Sequence, residues 1–130
     1  QLRQGLQQLG EEGAIQVFNP VSGGSLMLGA IGQLQFEVVL HRLKSEYGVD
    51  ARLDPCRFTI ARWITCDDEA KLKKFIDSEP LRIAYDVVGA PAFLVQYGSD
   101  LRVAQERVPD IQFHAMREHS GRVFGAAPTA

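Results

Sequence analysis

The residues that could do chemistry in this chain are few and scattered. His41, His114 and His119 are the available imidazoles, and Cys56 and Cys66 the available thiols. Zinc donors need spacings such as HExxH or paired Cys/His steps to converge on one tetrahedral point, and neither occurs. His114 or His119 with Glu118 could hold an ion only as an isolated pair, so no metal site is expected. The cysteines form no CxxC and read as reduced, partly buried thiols of a cytosolic protein. A Cys–His nucleophile would need a local motif to orient base and thiol, and the chain carries none.

The carboxylate runs Glu11-Glu12 and Asp67-Asp68-Glu69 fit helix-end charges better than an acid–base pair. A phosphate-binding loop would read GxxxxGK[ST], but Gly23-Gly24 and Gly29-Ala30-Ile31-Gly32 lack the following Lys-Ser/Thr. They read as tight turns. No catalytic, cofactor-binding or metal-ligating residue is expected, and the chain by itself is not expected to be an enzyme.

The basic residues carry more. Arg52, Arg57 and Arg62 fall on strands or connections, Lys71, Lys73 and Lys74 on one helix, Arg102 and Arg107 on another. Lysine and arginine gain affinity for RNA by displacing counterions from phosphates. The candidate RNA or partner contacts are Arg52, Arg57, Arg62, Lys71 and Lys74; the plain alternative for each is a solvated surface charge. Trp63 and Tyr97 could stack on bases, although aromatics in strands more often belong to the core. With 14 basic and 16 acidic residues the net charge is −2, which excludes a generic polybasic binder and leaves only a local basic face.

The elements that must position these residues are legible from periodicity. Leu2, Leu6 and Leu9 mark a helix face at the start, with Gly5 and Gly10 expected to weaken it. Ile15–Phe18 and Leu26–Ala30 read as a hairpin across Asn19-Pro20-Val21-Ser22-Gly23-Gly24. A helix from about Gln33 to Tyr47 follows, its buried face built on Phe36, Val39, Leu40, Leu43 and Tyr47. Gly32 is its expected N-cap and Gly48 its left-handed terminator. Val49–Leu53 and Phe58–Thr65 read as strands, the latter as the longest. Asp67-Asp68-Glu69 opens a helix with Leu72, Phe75 and Ile76 inward, ended by Pro80. Arg82–Val87 and Ala92–Tyr97 form a second hairpin, Ser99 can cap a helix carrying Leu101, Ala104 and Val108, and Ile111–Arg117 is the last strand.

In order, residues 1–55 give αββαβ and residues 57–118 give βαββαβ, within one unit of about 1–120; 121–130 reads as a loose tail. The second string is a split βαβ, ferredoxin-like order, and the first is the same order without its opening strand. An α+β fold (α/β in the broad sense) is expected, two layers with helices packed on a mainly antiparallel sheet. The first half must expose a sheet edge or borrow a partner strand. No signal peptide or membrane-length apolar run occurs, so a soluble cytoplasmic protein without a membrane partner is expected.

Several blocks resemble a known family. GLQQLGEEGAIQVFNP (Gly5–Pro20), GAIGQLQFEVVLHRLKSEYGVDA (Gly29–Ala51), ARW (Ala61–Trp63) and AQERVPDIQFHAMREH (Ala104–His119) are similar, in order, to the C-terminal domain of bacterial peptide chain release factor three. The Gly29–Ala51 block is more distantly similar to the third domain of elongation factor G-type translational GTPases, where a Gly-rich turn leads into a helix of a ferredoxin-like fold. In that family a strand precedes the first helix, so the chain is expected to be a fragment of a longer protein. The resemblance implies a parent with a GTPase domain, which would bind GTP and magnesium, and a β-barrel domain. The parent would promote GTP-dependent removal of class I release factors from the ribosome in translation termination. This domain would touch the small subunit, with ribosomal RNA and protein S12, and its own GTPase and barrel domains. It would be a non-catalytic docking and interdomain module. The alternative from another class is a stand-alone ferredoxin-like regulator or enzyme that takes a small molecule.

Overall fold

The computed structural model describes residues 2–30, 33–117, 121–122 and 126–129. In chain order the elements are α1 (Leu2–Glu11), β1 (Gln16–Pro20), β2 (Met27–Gly29), α2 (Gln33–Tyr47), β3 (Ile60–Thr65), α3 (Glu69–Ser78), β4 (Ile83–Tyr85), β5 (Pro91–Val95), α4 (Gly98–Arg107), β6 (Gln112–His114), β7 (Met116–Arg117), β8 (Gly121–Arg122) and β9 (Ala126–Thr129).

The second half closes as its element order requires. Strands β6-β3-β5-β4 lie side by side and antiparallel, with α3 and α4 on one face, the arrangement of a complete ferredoxin-like unit. Ile64, Phe75, Ile83, Phe93, Val95, Leu101, Ala104 and Ile111 form the core between sheet and helices. Phe75, Phe93 and Phe113 meet there with ring centroids 5.3–5.9 Å apart, in the tilted and edge-on geometries that aromatic quadrupoles favour.

The first half is smaller and uses its strands on both faces. Val17 pairs with Leu28 and both turn toward α1 and α2, joining Leu6, Leu9, Phe36, Val39 and Leu43. Phe18 pairs with Met27, and both turn the other way, into a cluster with Phe58, Ala61, Trp63, Ala84, Ala92 and Leu94. The halves become one sheet because β1 pairs antiparallel with β4 through Asn19↔Tyr85 and Pro20↔Ala84. The full order is β6-β3-β5-β4-β1-β2-β9. β9, in the stretch expected to be a loose tail, lies antiparallel to the outer edge of β2, whose backbone groups otherwise lack a ladder partner.

Several sequence expectations need correction. Val49–Leu53 is not a strand; the segment is irregular and is followed by a single bridge residue at Asp54. Its alternating Val49, Ala51 and Leu53 still pack against the first-half core, so the apolar pattern reports burial and not a ladder. Ser99 is not a cap: the helix begins at Gly98, with Tyr97 at the cap position and no side-chain cap bond. The last strand is split into β6 and β7 at Ala115. Gly5 and Gly10, expected only to weaken α1, allow close approach. A Cβ at Gly5 would stand 2.9 Å from Leu43 Cδ2, and one at Gly10 2.6 Å from Val87 Cγ1. Gly48 takes φ +67°, the left-handed terminator expected after α2. The proposed Gly32 cap lies outside the described residues.

Candidate interaction surface

The five cations singled out from the sequence do not converge on one face. Arg57 precedes Phe58, which packs on the cluster of Trp63 and Leu94, whereas Lys71 and Lys74 ride on α3 over the opposite face. The Arg57 guanidinium lies 4.8 Å from the ring centre of Phe58, a cation–π contact. Arg52 sits in the irregular segment after α2 and faces Asp54 at 3.4 Å, both side chains exposed. Arg62 pairs with Phe93 across the ladder and so shares its helix-side face; its Nη1 donates to the carbonyl of Ala61 at 2.9 Å. The structure thus separates Arg52 and Arg57 from Lys71 and Lys74, and half-buries Arg62.

Pairing further divides them. Lys71 Nζ donates to Asp110 Oδ2 at 2.7 Å, and this bond holds its pKa above the ordinary lysine value. Lys73 does the same with Asp77 at 2.9 Å and is likewise raised. Arg107 reaches Glu79 at 2.5 Å. On α2, Arg42 bonds Glu46 at 2.7 Å and Glu12 at 2.9 Å, which raises the guanidinium pKa and lowers that of Glu46. A cation already holding a carboxylate is partly neutralised and has fewer donors left for a phosphate. Among the described residues, Arg57 and Lys74 of the five lie in no ion pair and are exposed, so they are the better placed for an outside anion.

Local chemistry explains why α3 presents its lysines. Asp68 caps the helix: its Oδ1 accepts from Ala70 N at 2.9 Å and Lys71 N at 3.3 Å. Leu72, Phe75 and Ile76 face the core, which leaves Lys71, Lys73 and Lys74 outward. Trp63 is core, 3% exposed, and not a stacking platform; Tyr97 is 60% exposed. Cys56 and Cys66 are free thiols, half-buried as expected. His41 is exposed on α2, and the His114 ring nitrogen lies 2.7 Å from Thr65 Oγ1, while His119 and Glu118 lie outside the described residues. No three His, Cys, Asp or Glu side chains among the described residues gather as a metal site would require. None of the described helices is long and apolar enough to cross a membrane.

The chain is a two-layer α+β domain with helices packed on one face of an antiparallel sheet and mixed charges on its outer surface. The family model described as "Class II release factor RF3, C-terminal domain" matches residues 1–105, and the chain belongs to that family. It is 65% identical over 126 residues to peptide chain release factor 3 of Bordetella avium, and 64% identical to that of Bordetella pertussis, covering 96% of this chain in each case. Against peptide chain release factor 3 of Nitrosomonas eutropha it is 57% identical over 127 residues, 98% of the chain. The chain spans 24% of the length of each of these relatives. It is the release-factor C-terminal domain that the sequence blocks resemble.

Proposed function

We propose that this domain is the ribosome-docking and interdomain module of a translation-termination GTPase that releases class I release factors. The observation that carries the reading is the family match over residues 1–105 together with 65% identity to a protein named peptide chain release factor 3. GTP and its magnesium would be held elsewhere in the longer protein, because this sequence has no GxxxxGK[ST] loop. The domain contributes shape and charge, not bond chemistry, and works in the cytoplasm.

Its expected partners are the small ribosomal subunit, through ribosomal RNA and protein S12, and the GTPase and barrel domains of its own polypeptide. Class I release factors are affected indirectly. Arg52, Arg57, Arg62, Lys71 and Lys74 remain the proposed contacts, with Arg57 and Lys74 first because both are exposed and neither is held by a carboxylate, whereas Arg62 is half-buried. The test is binding of the chain, alone and joined to its upstream domains, to 30S and 70S particles over a salt series. Salt-sensitive association supports the reading. Absence of association by the longer protein, or nucleotide affinity of the 130-residue chain itself, contradicts it.

A further inference from the structure

The helix-bearing side of the sheet is not covered evenly. α1 and α2 pack over β1 and β2, and α3 and α4 over the second half, which leaves a cleft of about 300 Å3 above the β1–β4 seam. The paired residues Asn19 and Tyr85 form its floor. Arg3 and Gln7 of α1 line one side, and Asp86 and Val87 the other. Its size is at the lower end for ligand-holding pockets, enough for the side chains of a short segment.

The polar groups in it are unequally available. Asp86 is 7% exposed, and its carboxylate already accepts from Trp63 Nε1, Val88 N and Ala90 N. Arg3 is exposed and holds no carboxylate among the described residues, unlike Arg42, Lys71, Lys73 and Arg107 on the other helices. The exposed Asn19 carboxamide brings a donor pair and an acceptor. Gln7 uses its Nε2 on the Val87 carbonyl at 3.1 Å, leaving its own carbonyl oxygen as an acceptor. Val17 and Leu26 supply apolar lining.

We propose that this cleft docks an extended polypeptide segment carrying one acidic side chain. The carboxylate pairs with Arg3, whose planar fork suits bidentate binding. The flanking peptide groups meet Asn19 and the Gln7 carbonyl, and small apolar neighbours rest on Val17 and Leu26. RNA fits less well, since each nucleotide adds a phosphate while Arg3 is the one unpaired cation among the described lining residues.

The test is an amide-detected NMR titration of the full 130-residue chain. The probes are an N-acetylated, C-amidated valine–aspartate–valine peptide, its asparagine isostere, and a short oligouridine. The expected result is a saturable shift of the Asn19 and Gln7 side-chain amides and the Val87–Gly89 backbone with the aspartate peptide. Binding weakens about tenfold or more with the isostere and with Arg3→Gln, as the loss of a charge-assisted pair requires, and is unchanged by Arg102→Gln, an exposed cation on α4 away from the cleft. No saturable shift there, equal binding of the isostere, or saturable oligouridine binding at the same resonances would overturn the proposal. No ribosome enters the titration, so its failure and a failure of the ribosome-docking reading are separately visible.

Discussion

The indole Nε1 of Trp63 donates to Oδ2 of Asp86 across 3.0 Å, in a place where both side chains are buried. This bond ties β3 to the turn between β4 and β5. The second carboxylate oxygen accepts from the backbone of Val88 and Ala90, so one aspartate holds three donors. Trp63 also meets Phe18 of the first half, ring centroids 5.9 Å apart. The junction of the halves therefore rests on a polar anchor and an aromatic contact that share one residue. Asp86→Ala leaves the buried indole donor unsatisfied and frees two part-buried backbone amides, and is expected to lower unfolding stability by about 2–4 kcal/mol. Denaturant melts followed by tryptophan fluorescence check it; a loss under about 1 kcal/mol contradicts the anchor role.

Gly10 makes a second contact between the halves. A methyl there would meet Val87 Cγ1 at 2.6 Å, while Gln7 Nε2 bonds the carbonyl of the same Val87. Gly10→Ala gains about 1 kcal/mol of helix propensity yet must displace the valine, at a cost of about 1–3 kcal/mol. The net expectation is destabilisation, relieved in the background of Val87→Ala. A double-mutant cycle measured by chemical denaturation would show that coupling, and additive effects would rule out the clash.

Asp68→Ala removes the α3 cap and is expected to cost about 1 kcal/mol. Asp68→Asn keeps an acceptor and should recover most of it. Equal losses in the two variants would mean that the cap bond is not what Asp68 contributes.

The α2 ion cluster gives a pH dependence with a definite sign. The Arg42 bond lowers the Glu46 pKa from 4.5, so its stabilising contribution is present at neutral pH, where Glu46 is ionised in folded and unfolded chains alike. It is lost as pH falls through the folded-state value. Glu46→Gln should therefore flatten the acid limb of the stability curve and leave its alkaline limb unchanged. The exposed position keeps the effect small and salt-sensitive.

Much of this architecture was legible because its periodicities are local. Phe36, Val39 and Leu43 mark α2, Leu72 and Phe75 mark α3, and the βαββαβ order specifies the β6-β3-β5-β4 sheet. The β1–β4 seam was not legible, since pairing between edge strands of two units leaves no local signal. Val49–Leu53 misled because apolar alternation records a buried face whether or not a partner strand exists. The hairpin turn around Val88-Gly89-Ala90-Pro91 was readable, and Gly89 takes φ +86° there, but the apolar run carried the expected strand on to Val87, so Asp86 read as a strand residue and not as the one that holds the turn. The cation set was readable by type only. Which lysine holds a carboxylate, such as Lys71 with Asp110, depends on neighbours far along the chain.

If the longer protein docks on the ribosome through this domain, as proposed above, the exposed and unpaired Arg57 and Lys74 carry part of that association. The most direct measurement is co-sedimentation of the longer protein with 70S particles over a salt series, comparing the unaltered protein with Arg57→Gln/Lys74→Gln. The expected result is weaker association for the double variant and a log–log salt slope shallower by about one per phosphate contact removed. Association and slope identical to those of the unaltered protein would contradict it.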